Sequence, residues 1–297
     1  MSINTFFQHL SNGLALGSLY ALIAIGYTMV YGILRLINFA HGEIFMISTY
    51  VVFYGVSIFY LPWWVSIIVA IVITGLLGII VERAAYRPLR NSPRISVMIS
   101  AIGASFLIQN LAIVIFGGRP KSFPIPDYFN TVIQVQGVSV PIVNFFIPVI
   151  TLVALVILIY IIEKTKTGMA MRAVSRDYET ARLMGISVDN IVSITFGLGS
   201  LMAAIGGVMW GLKYPNLIPL IGLMPGLKAF IAAVIGGIGN IKGAVLGGFL
   251  LGMTEIMIIA SLPNVTGYRD AFAFILLIGI LIYKPSGLLG QDIGEKV

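Results

Sequence analysis

The sequence is poor in charged residues for its length. Of its 297 residues only 10% are charged, whereas 59% are hydrophobic and the mean hydropathy is +1.02. A water-soluble domain carries roughly 25% charged residues, so this chain lacks the polar surface that keeps a globule in water. The composition excludes a soluble enzyme, a disordered chain and a nucleic-acid-binding domain. It indicates a membrane protein with little mass outside the bilayer.

Several residues and motifs that carry chemistry are also missing. The chain has no cysteine, which excludes disulfides, thiol nucleophiles and thiolate metal sites. Its two histidines, His9 and His41, are too few for a histidine metal cluster. There is no Gly-Lys dipeptide, and hence no phosphate-binding loop of the Walker A type, and no HExxH motif. We therefore expect neither an enzyme nor a metal or cofactor site in this chain.

Long apolar runs are abundant and predict an all-α, polytopic bundle of membrane-spanning helices. A span needs about 20 mostly apolar residues, and nine runs qualify, two of them short, within a fair range of eight to ten. We interpret residues 1–297 as one transmembrane domain. The runs are Leu10–Leu34, Gly42–Tyr60, Trp63–Val81, Ile95–Phe116, Phe145–Ile162, Ile191–Leu212, Leu223–Gly239, Ala244–Leu262 and Tyr268–Tyr283.

The basic residues predict the orientation of these spans. Four arginines lie within residues 83–94, and five lysines or arginines lie within residues 164–182. An even number of spans separates these loops, so both lie on one side, which the positive-inside rule identifies as the cytoplasm. The N-terminus is then outside and the C-terminus cytoplasmic, residues 163–190 form a cytoplasmic loop, and residues 117–144 form an external one.

The external loop is rich in proline, and residues 131–143 within it alternate between apolar and polar side chains. Gln136-Gly137 is suited to the turn of a short hairpin. The loop is interpreted either as a simple connection or as a docking surface or lid.

A short sequence echo links the first and sixth spans. Gly17-Ser18-Leu19 and Gly199-Ser200-Leu201 each open a stretch rich in small and apolar residues. These two spans run in opposite directions in the predicted topology, as inverted repeats require. Chance similarity between small-residue helices is the alternative.

Polar side chains inside the predicted spans are costly and tend to mark function. In the densest segment, Asn38 and His41 are spaced to share one face of a helix, and Glu43 near a helix start is favoured by the macrodipole. The alternative is an interfacial cap and turn. The candidates for a translocation pathway are Asn38, His41, Glu43, Gln109, Asn110 and Glu255.

A glycine-rich run predicts a break in the helical pattern near residue 238. The residues concerned are Gly236, Gly237, Gly239 and Asn240. A tight cytoplasmic turn is one explanation, and a kink beside the substrate pathway is the other.

The cytoplasmic segment 168–191 predicts a helix, Met169–Leu183, between two spans. Arg172, Arg176 and Glu179 recur on one polar face, and Gly185 suits the C-terminal stop. A helix too short to have its own core needs a partner, which is either a protein or the anionic lipid surface.

Three segments together resemble the branched-chain amino acid permease family of ABC importers, in its LivH-type subunit. Residues 168–186 are similar to the cytoplasmic "EAA" coupling loop, with Thr180 departing from the pattern. Residues 36–45 and 226–252 resemble the same family. The coupling-loop candidates are Arg172, Arg176, Asp177, Glu179, Thr180, Ala181 and Gly185.

This resemblance implies a multi-pass inner-membrane permease that works by alternating access. It implies a second, LivM-type permease, two cytoplasmic ATPases that hold the ATP and Mg²⁺, and a periplasmic substrate-binding protein that meets the external loop. Permeases for urea or short-chain amides look very similar to this family, so these compounds are alternative substrates. Two rival functions are a passive channel and an ion-coupled transporter, in which His41, Glu43 and Glu255 would bind the ion.

Overall fold

A computed structural model of the chain describes residues 3–135 and 137–290 and is predominantly helical. The α-helices within these residues are α1 (Ile3–Leu34), α2 (His41–Ser57), α3 (Trp63–Val81), α4 (Arg94–Phe116), α5 (Val143–Lys164), α6 (Lys166–Arg176), α7 (Tyr178–Leu183), α8 (Val188–Lys213), α9 (Leu223–Gly236), α10 (Ile241–Ser261) and α11 (Arg269–Tyr283). A π-helical turn, Glu82–Tyr86, and a 3₁₀ turn, Arg87–Leu89, extend α3.

Each of the nine predicted runs corresponds to a helix, so the prediction of an all-α bundle is confirmed. The count of nine spans is not confirmed, because seven helical segments of the described chain are long and apolar enough to cross a membrane. The two exceptions are α2, with 17 residues, and α9, with 14. Both are shorter than the about 20 residues that a full crossing requires.

Helix α1 lies at the centre of the bundle and is buried along most of its length. It packs most closely on α10, where methyl groups built at Gly248 and Gly252 would overlap the α1 backbone at Ala21 and Gly17. Lipid tails are as apolar as side chains, so close backbone packing through small residues is what holds such helices together. Gly248 and Gly252 of α10 are therefore required by the close contact between α1 and α10.

The packing of α8 on its neighbours parallels that of α1. Helix α1 packs on α9 and α10, whereas α8 packs on α2 and α3. Glycines again form the contact, since Gly75 and Gly78 of α3 face Leu201 and Ser200 of α8. Helix α1 also contacts α8 directly. This exchange of partners is the arrangement expected of the two repeats that the Gly-Ser-Leu echo suggests.

The short helices α2 and α9 begin deep inside the bundle. The chain leaves α1 at Leu34 and returns along it through residues 35–40, so that α2 starts at His41 beside Gly26 in the middle of α1. The first residues of α2 and α9 meet there, since Gly42 faces Gly222 and Gly226 at backbone-contact distance. The helix that the spacing of Asn38 and His41 predicts is absent, because these residues flank a turn before α2.

The predicted external loop contains short paired strands. Strand β1 (Lys121–Ser122) pairs with β4 (Asn216–Leu217), which ties the loop to the segment after α8. Strands β2 (Val132–Val135) and β3 (Val138–Pro141) form the predicted antiparallel hairpin. Of the predicted turn, Gln136 lies outside the described residues. Phe129 is buried against Trp63 and Phe146, so the loop packs onto the ends of α3 and α5.

At the other end of the bundle the glycine-rich run forms a tight turn. Helix α9 ends at Gly236, and Gly237 and Gly239 both have positive φ angles, of 104° and 95°. Asn240 then caps α10 by accepting a hydrogen bond from the backbone N–H of Gly243. The helical pattern is therefore interrupted between two helices and not within one.

The helix predicted over Met169–Leu183 is two helices, α6 and α7. The backbone at Asp177 is extended, and its carboxylate accepts hydrogen bonds from the N–H groups of Glu179 and Thr180 as the N-cap of α7. Aspartate is among the preferred N-cap residues, because it satisfies N–H groups that have no partner within the helix. The prediction of one continuous helix was wrong at this residue.

Candidate functional site

A cavity of about 200 Å³ lies between α1, α2, α4 and α9, where the first turns of α2 and α9 meet. Its lining is mostly apolar, and its polar side chains include Glu43, Ser105 and Gln109. Gly42, Gly222 and Gly226 leave part of the wall without side chains. The lining residues are Tyr27, Ile37, Phe39, Gly42, Glu43, Ile102, Ser105, Phe106, Gln109, Gly222, Leu223, Gly226, Leu227 and Phe230.

Glu43 is the acidic group of this cavity. It lies in the first turn of α2, where the helix macrodipole favours a negative charge. Its side chain is only 2% exposed, it interacts with the hydroxyl group of Ser105, and its Oε2 atom has no hydrogen-bond partner. A buried carboxylate oxygen without a partner is unusual, because burying a polar group costs free energy unless it is hydrogen-bonded.

Asn38 and His41 lie behind the cavity wall and not on it. The His41 ring is fully buried, its Nε2 atom lies 3.2 Å from the carbonyl oxygen of Ile23, and the ring packs on Tyr27. The Oδ1 atom of Asn38 accepts a hydrogen bond of 3.2 Å from the hydroxyl group of Tyr86. These contacts tie the segment 35–40 to α1 and to the π-helical turn after α3, so both side chains help to hold α2 in place.

The other three pathway candidates lie in different surroundings. Gln109 lines the cavity, one turn beyond Ser105 on the same face of α4. Asn110 is exposed and donates a hydrogen bond to the carbonyl oxygen of Phe106 in its own helix. Glu255 belongs to a separate buried ion pair. The structure therefore brings Glu43 and Gln109 together and separates Asn110 and Glu255 from them.

The ion pair of Glu255 was not predicted from the sequence. The Nζ atom of Lys228 in α9 lies 2.8 Å from a carboxylate oxygen of Glu255 in α10. It lies 2.7 Å from a carboxylate oxygen of Asp270 in α11. The hydroxyl group of Tyr20 donates to the second carboxylate oxygen of Glu255 at 2.9 Å. The available signal was a lysine within an apolar run, but its partners are remote in sequence. In the part of the chain described, no three His, Cys, Asp or Glu side chains are placed to share a metal ion.

A second ionic network joins the end of α3 to the start of α8. Glu82 is fully buried, accepts a hydrogen bond from Ser193 at 2.6 Å and pairs with Arg90 at 2.6 Å. Arg90 and Arg87 both pair with Asp189 in the first turn of α8. The predicted basic loop is therefore partly engaged in fixing its own spans, a role that the charge distribution alone does not reveal.

Helices α6 and α7 are anchored to the ends of the spanning helices. Their apolar side chains Met171, Val174 and Ala181 are buried. The hydroxyl group of Tyr178 donates to the carbonyl oxygen of Ile33 at the end of α1. Burial raises the pKa of Tyr178, so this hydroxyl group stays protonated and keeps its donor role. Arg172 donates to the carbonyl oxygen of Ile162 in α5.

The remaining coupling-loop candidates form an exposed surface on α6 and α7. Leu183 is 87% exposed, which is unusual for a leucine at the end of an amphipathic helix, and Gly185 follows it with a φ angle of 80°. We call this surface the coupling surface. It comprises Arg176, Asp177, Glu179, Thr180, Arg182, Leu183 and Met184.

Comparisons with known proteins agree with this architecture. The family model described as "Branched-chain amino acid transport system / permease component" matches residues 9–281. The chain is 43% identical to the high-affinity branched-chain amino acid transport system permease protein LivH of Escherichia coli K12, over 98% of both chains. It is 41% identical to BraD of Pseudomonas aeruginosa over 98% of both chains, and BraD is likewise described as a high-affinity branched-chain amino acid transport system permease protein.

A more distant relative has the same description and similar coverage. The probable branched-chain amino acid transport permease protein LivH of Methanocaldococcus jannaschii is 25% identical over 95% of this chain and 92% of its own. The relatives are transport permeases and not enzymes. The chain is therefore a multi-pass membrane permease that belongs to the branched-chain amino acid transport system permease family.

Proposed function

We propose that this chain is one of two membrane-spanning permease subunits of an ATP-driven importer for branched-chain amino acids in the inner membrane. Its partners are a second, LivM-type permease, two cytoplasmic ABC ATPases and a periplasmic substrate-binding protein. ATP and Mg²⁺ bind to the ATPases and not to this chain. The observation that carries the proposal is the coupling surface, which lies on two helices anchored to α1 and α5.

The anchoring suits these helices to transmit movement. Tyr178 contacts the last turn of α1, and Arg172 contacts the last turn of α5. A force applied by an ATPase to the exposed side of α6 and α7 would reach two spanning helices through these hydrogen bonds and the buried side chains beside them. The exposed Leu183 suits an apolar pocket on the ATPase, because a desolvated apolar contact gives such an interface its affinity.

The charge distribution supports an orientation with the coupling surface in the cytoplasm. The basic residues of 83–94 and 164–182 lie at the end of the bundle where the last turn of α1 meets Gly239. Leu288 pairs with Ile235 at this same end, and Gly13 of α1 lies far from it beside Met253. The N-terminal and C-terminal parts of the described chain thus lie at opposite ends, and the positive-inside rule assigns the basic end to the cytoplasm.

Charge reversal on the coupling surface tests this function. We expect Arg176→Glu combined with Glu179→Arg to abolish most leucine uptake by the complete complex in proteoliposomes, while assembly of the permease is retained. Both side chains are exposed, so the exchange keeps the net charge and disturbs no buried contact. Lys242→Glu, an exposed charge reversal at the same end of the bundle, serves as the control and should transport normally.

The same proteoliposomes separate the rival functions. Leucine must accumulate against its gradient, which excludes a passive channel. Accumulation must require ATP on the ATPase side and must persist when ion gradients are collapsed, which excludes an ion-coupled transporter. Replacing the binding protein's ligand by urea or a short amide should give no uptake. Normal leucine uptake by the charge-exchanged variant would contradict the assigned role of α6 and α7.

A further inference from the structure

We propose that the cavity between α1, α2, α4 and α9 receives the α-ammonium group of the substrate and that the carboxylate of Glu43 binds it. This inference rests on the proposed function, whose substrate carries a primary ammonium group and an apolar side chain. It adds to that function one contact residue, Glu43, for the ammonium group. Three features support it, namely the missing cation of Glu43, the walls of the cavity and the chemistry of the rival substrates.

Glu43 differs from the other buried carboxylates in having no cation. Glu82 pairs with Arg90, and Glu255 pairs with Lys228. Within residues 3–135 and 137–290, Glu43 makes no salt bridge, and its Oε2 atom, although buried, has no hydrogen-bond partner. Ionisable groups at membrane depth almost always pair with another group or face the bundle interior or a water-filled cavity, and they mark substrate or ion pathways. Glu43 faces such a cavity, so the missing cation is one that the cavity admits.

The walls around Glu43 suit a small molecule that has a cationic group and an apolar side chain. The cavity of about 200 Å³ is several times larger than the ~30 Å³ that a water molecule occupies in the liquid. The rest of the cavity lining is mostly apolar and includes the side chains of Ile102, Phe106 and Phe230. A branched aliphatic side chain buries apolar surface against these residues while the ammonium group reaches Glu43.

A neutral substrate would leave this carboxylate unpaired. Urea and short amides donate hydrogen bonds but carry no positive charge, whereas every α-amino acid carries an ammonium group at neutral pH. Burying an ionised carboxylate costs much free energy unless it is paired with an opposite charge, which an ammonium group supplies and a neutral amide does not. The unpaired Glu43 therefore favours an amino acid over the neutral substrates.

Replacing Glu43 by its uncharged analogue is the first test. In proteoliposomes that contain the complete complex and saturating leucine-loaded binding protein, we expect Glu43→Gln to lower the leucine uptake rate by about tenfold or more, because a hydrogen bond to a charged group is lost. Glu43→Asp keeps the charge and should recover part of the rate. Val114→Ala, at an exposed apolar position on α4, is the control and should transport normally. Uptake by Glu43→Gln at the wild-type rate would overturn the proposal.

A tethered ammonium group provides a second test that leaves Glu43 intact. Side chains on a helix point toward its N-terminus, so a lysine at position 109 of α4 is directed toward Ser105 and Glu43. Gln109→Lys should occupy the carboxylate and lower uptake at least tenfold below the uptake of Gln109→Met, which has similar length and no charge. Equal uptake by the two variants would overturn the proposal, even if Glu43→Gln fails to assemble.

These results can be separated from failure of the proposed function. If the wild-type complex does not import leucine with ATP, the proposed function itself is wrong. If the wild-type complex does import leucine, but Glu43→Gln transports like the wild type and Gln109→Lys transports like Gln109→Met, only the role of Glu43 is wrong. Replacing Na⁺ by choline on both sides of the membrane tests whether Glu43 binds a metal cation and not the ammonium group. A fall in wild-type uptake when Na⁺ is removed would assign Glu43 to sodium and overturn the proposal.

Discussion

The buried ion pair between Lys228 and Glu255 predicts an unequal response to removing either partner. Glu255 is 6% exposed, and besides Lys228 it has only the hydrogen bond from Tyr20 among the contacts resolved in the structure. Lys228 has a second carboxylate, that of Asp270, which is 38% exposed and can be hydrated. Losing the lysine therefore leaves a buried charge with one neutral donor, whereas losing the glutamate leaves the lysine paired.

The expected magnitudes follow from this difference. Breaking a buried pair so that one charge remains uncompensated costs about 3–5 kcal/mol, which is our expectation for Lys228→Met. Glu255→Gln keeps an acceptor for Tyr20 and leaves Lys228 with Asp270, so it should cost about 1.5–3 kcal/mol, the scale of one hydrogen bond to a charged group. Combining Lys228→Met with Glu255→Leu removes both charges and should cost less than Lys228→Met alone.

Unfolding of the detergent-purified protein by titration with a denaturing detergent measures these differences. Trp210 packs near Tyr20, with ring centroids 6.3 Å apart, and its fluorescence reports on this part of the bundle. Adding the single variant Glu255→Leu completes a double-mutant cycle, which isolates the coupling free energy between the two residues. A loss of stability in Glu255→Gln as large as that in Lys228→Met would refute the reasoning, since it would mean that Asp270 does not support the lysine.

Three further predictions concern packing and the cytoplasmic network. Gly252→Val should lower the yield of folded permease, because its side chain overlaps the backbone of Gly17, and size-exclusion chromatography measures this. Arg90→Met should destabilise the protein by about 3 kcal/mol or more, because the fully buried Glu82 then keeps the hydrogen bond from Ser193 but loses its cation, which a thermal unfolding assay checks. His41→Ala should cost about 2–4 kcal/mol through the cavity it leaves in the core, while assembled protein still transports leucine.

The sequence predicted the helices well and their depth in the bundle less well. Apolar runs identify every spanning helix because nothing else buries some 20 apolar residues in succession. The return of the chain through residues 35–40 was not predicted, since it depends on the fit of His41 against Gly26 and Ile23, which lie in another helix. A run beginning at Gly42 looks the same whether it starts at the membrane surface or halfway across.

The candidate site was predicted only in part for a similar reason. Glu43 and Gln109 were both identified as polar residues within spans, and they share a cavity. The sequence around Glu43 does not distinguish it from Glu255. The two differ because Glu255 has Lys228 beside it, whereas Glu43 makes no salt bridge within the described residues. The break at Asp177, in contrast, was accessible from the sequence, since an aspartate followed by a helical segment is a preferred N-cap.

The position of Gln109 bears on where the second permease binds. Helix α4 exposes most of its surface, but exposed apolar surface does not by itself indicate a protein partner in a bilayer, because lipid covers it equally well. A polar side chain does so, since lipid satisfies none of its hydrogen bonds. Ser105 and Gln109 are half-buried and lie on the α4 face that borders the cavity containing Glu43. We therefore expect the second permease to cover this face, and the substrate to pass between the two subunits with Glu43 along its route.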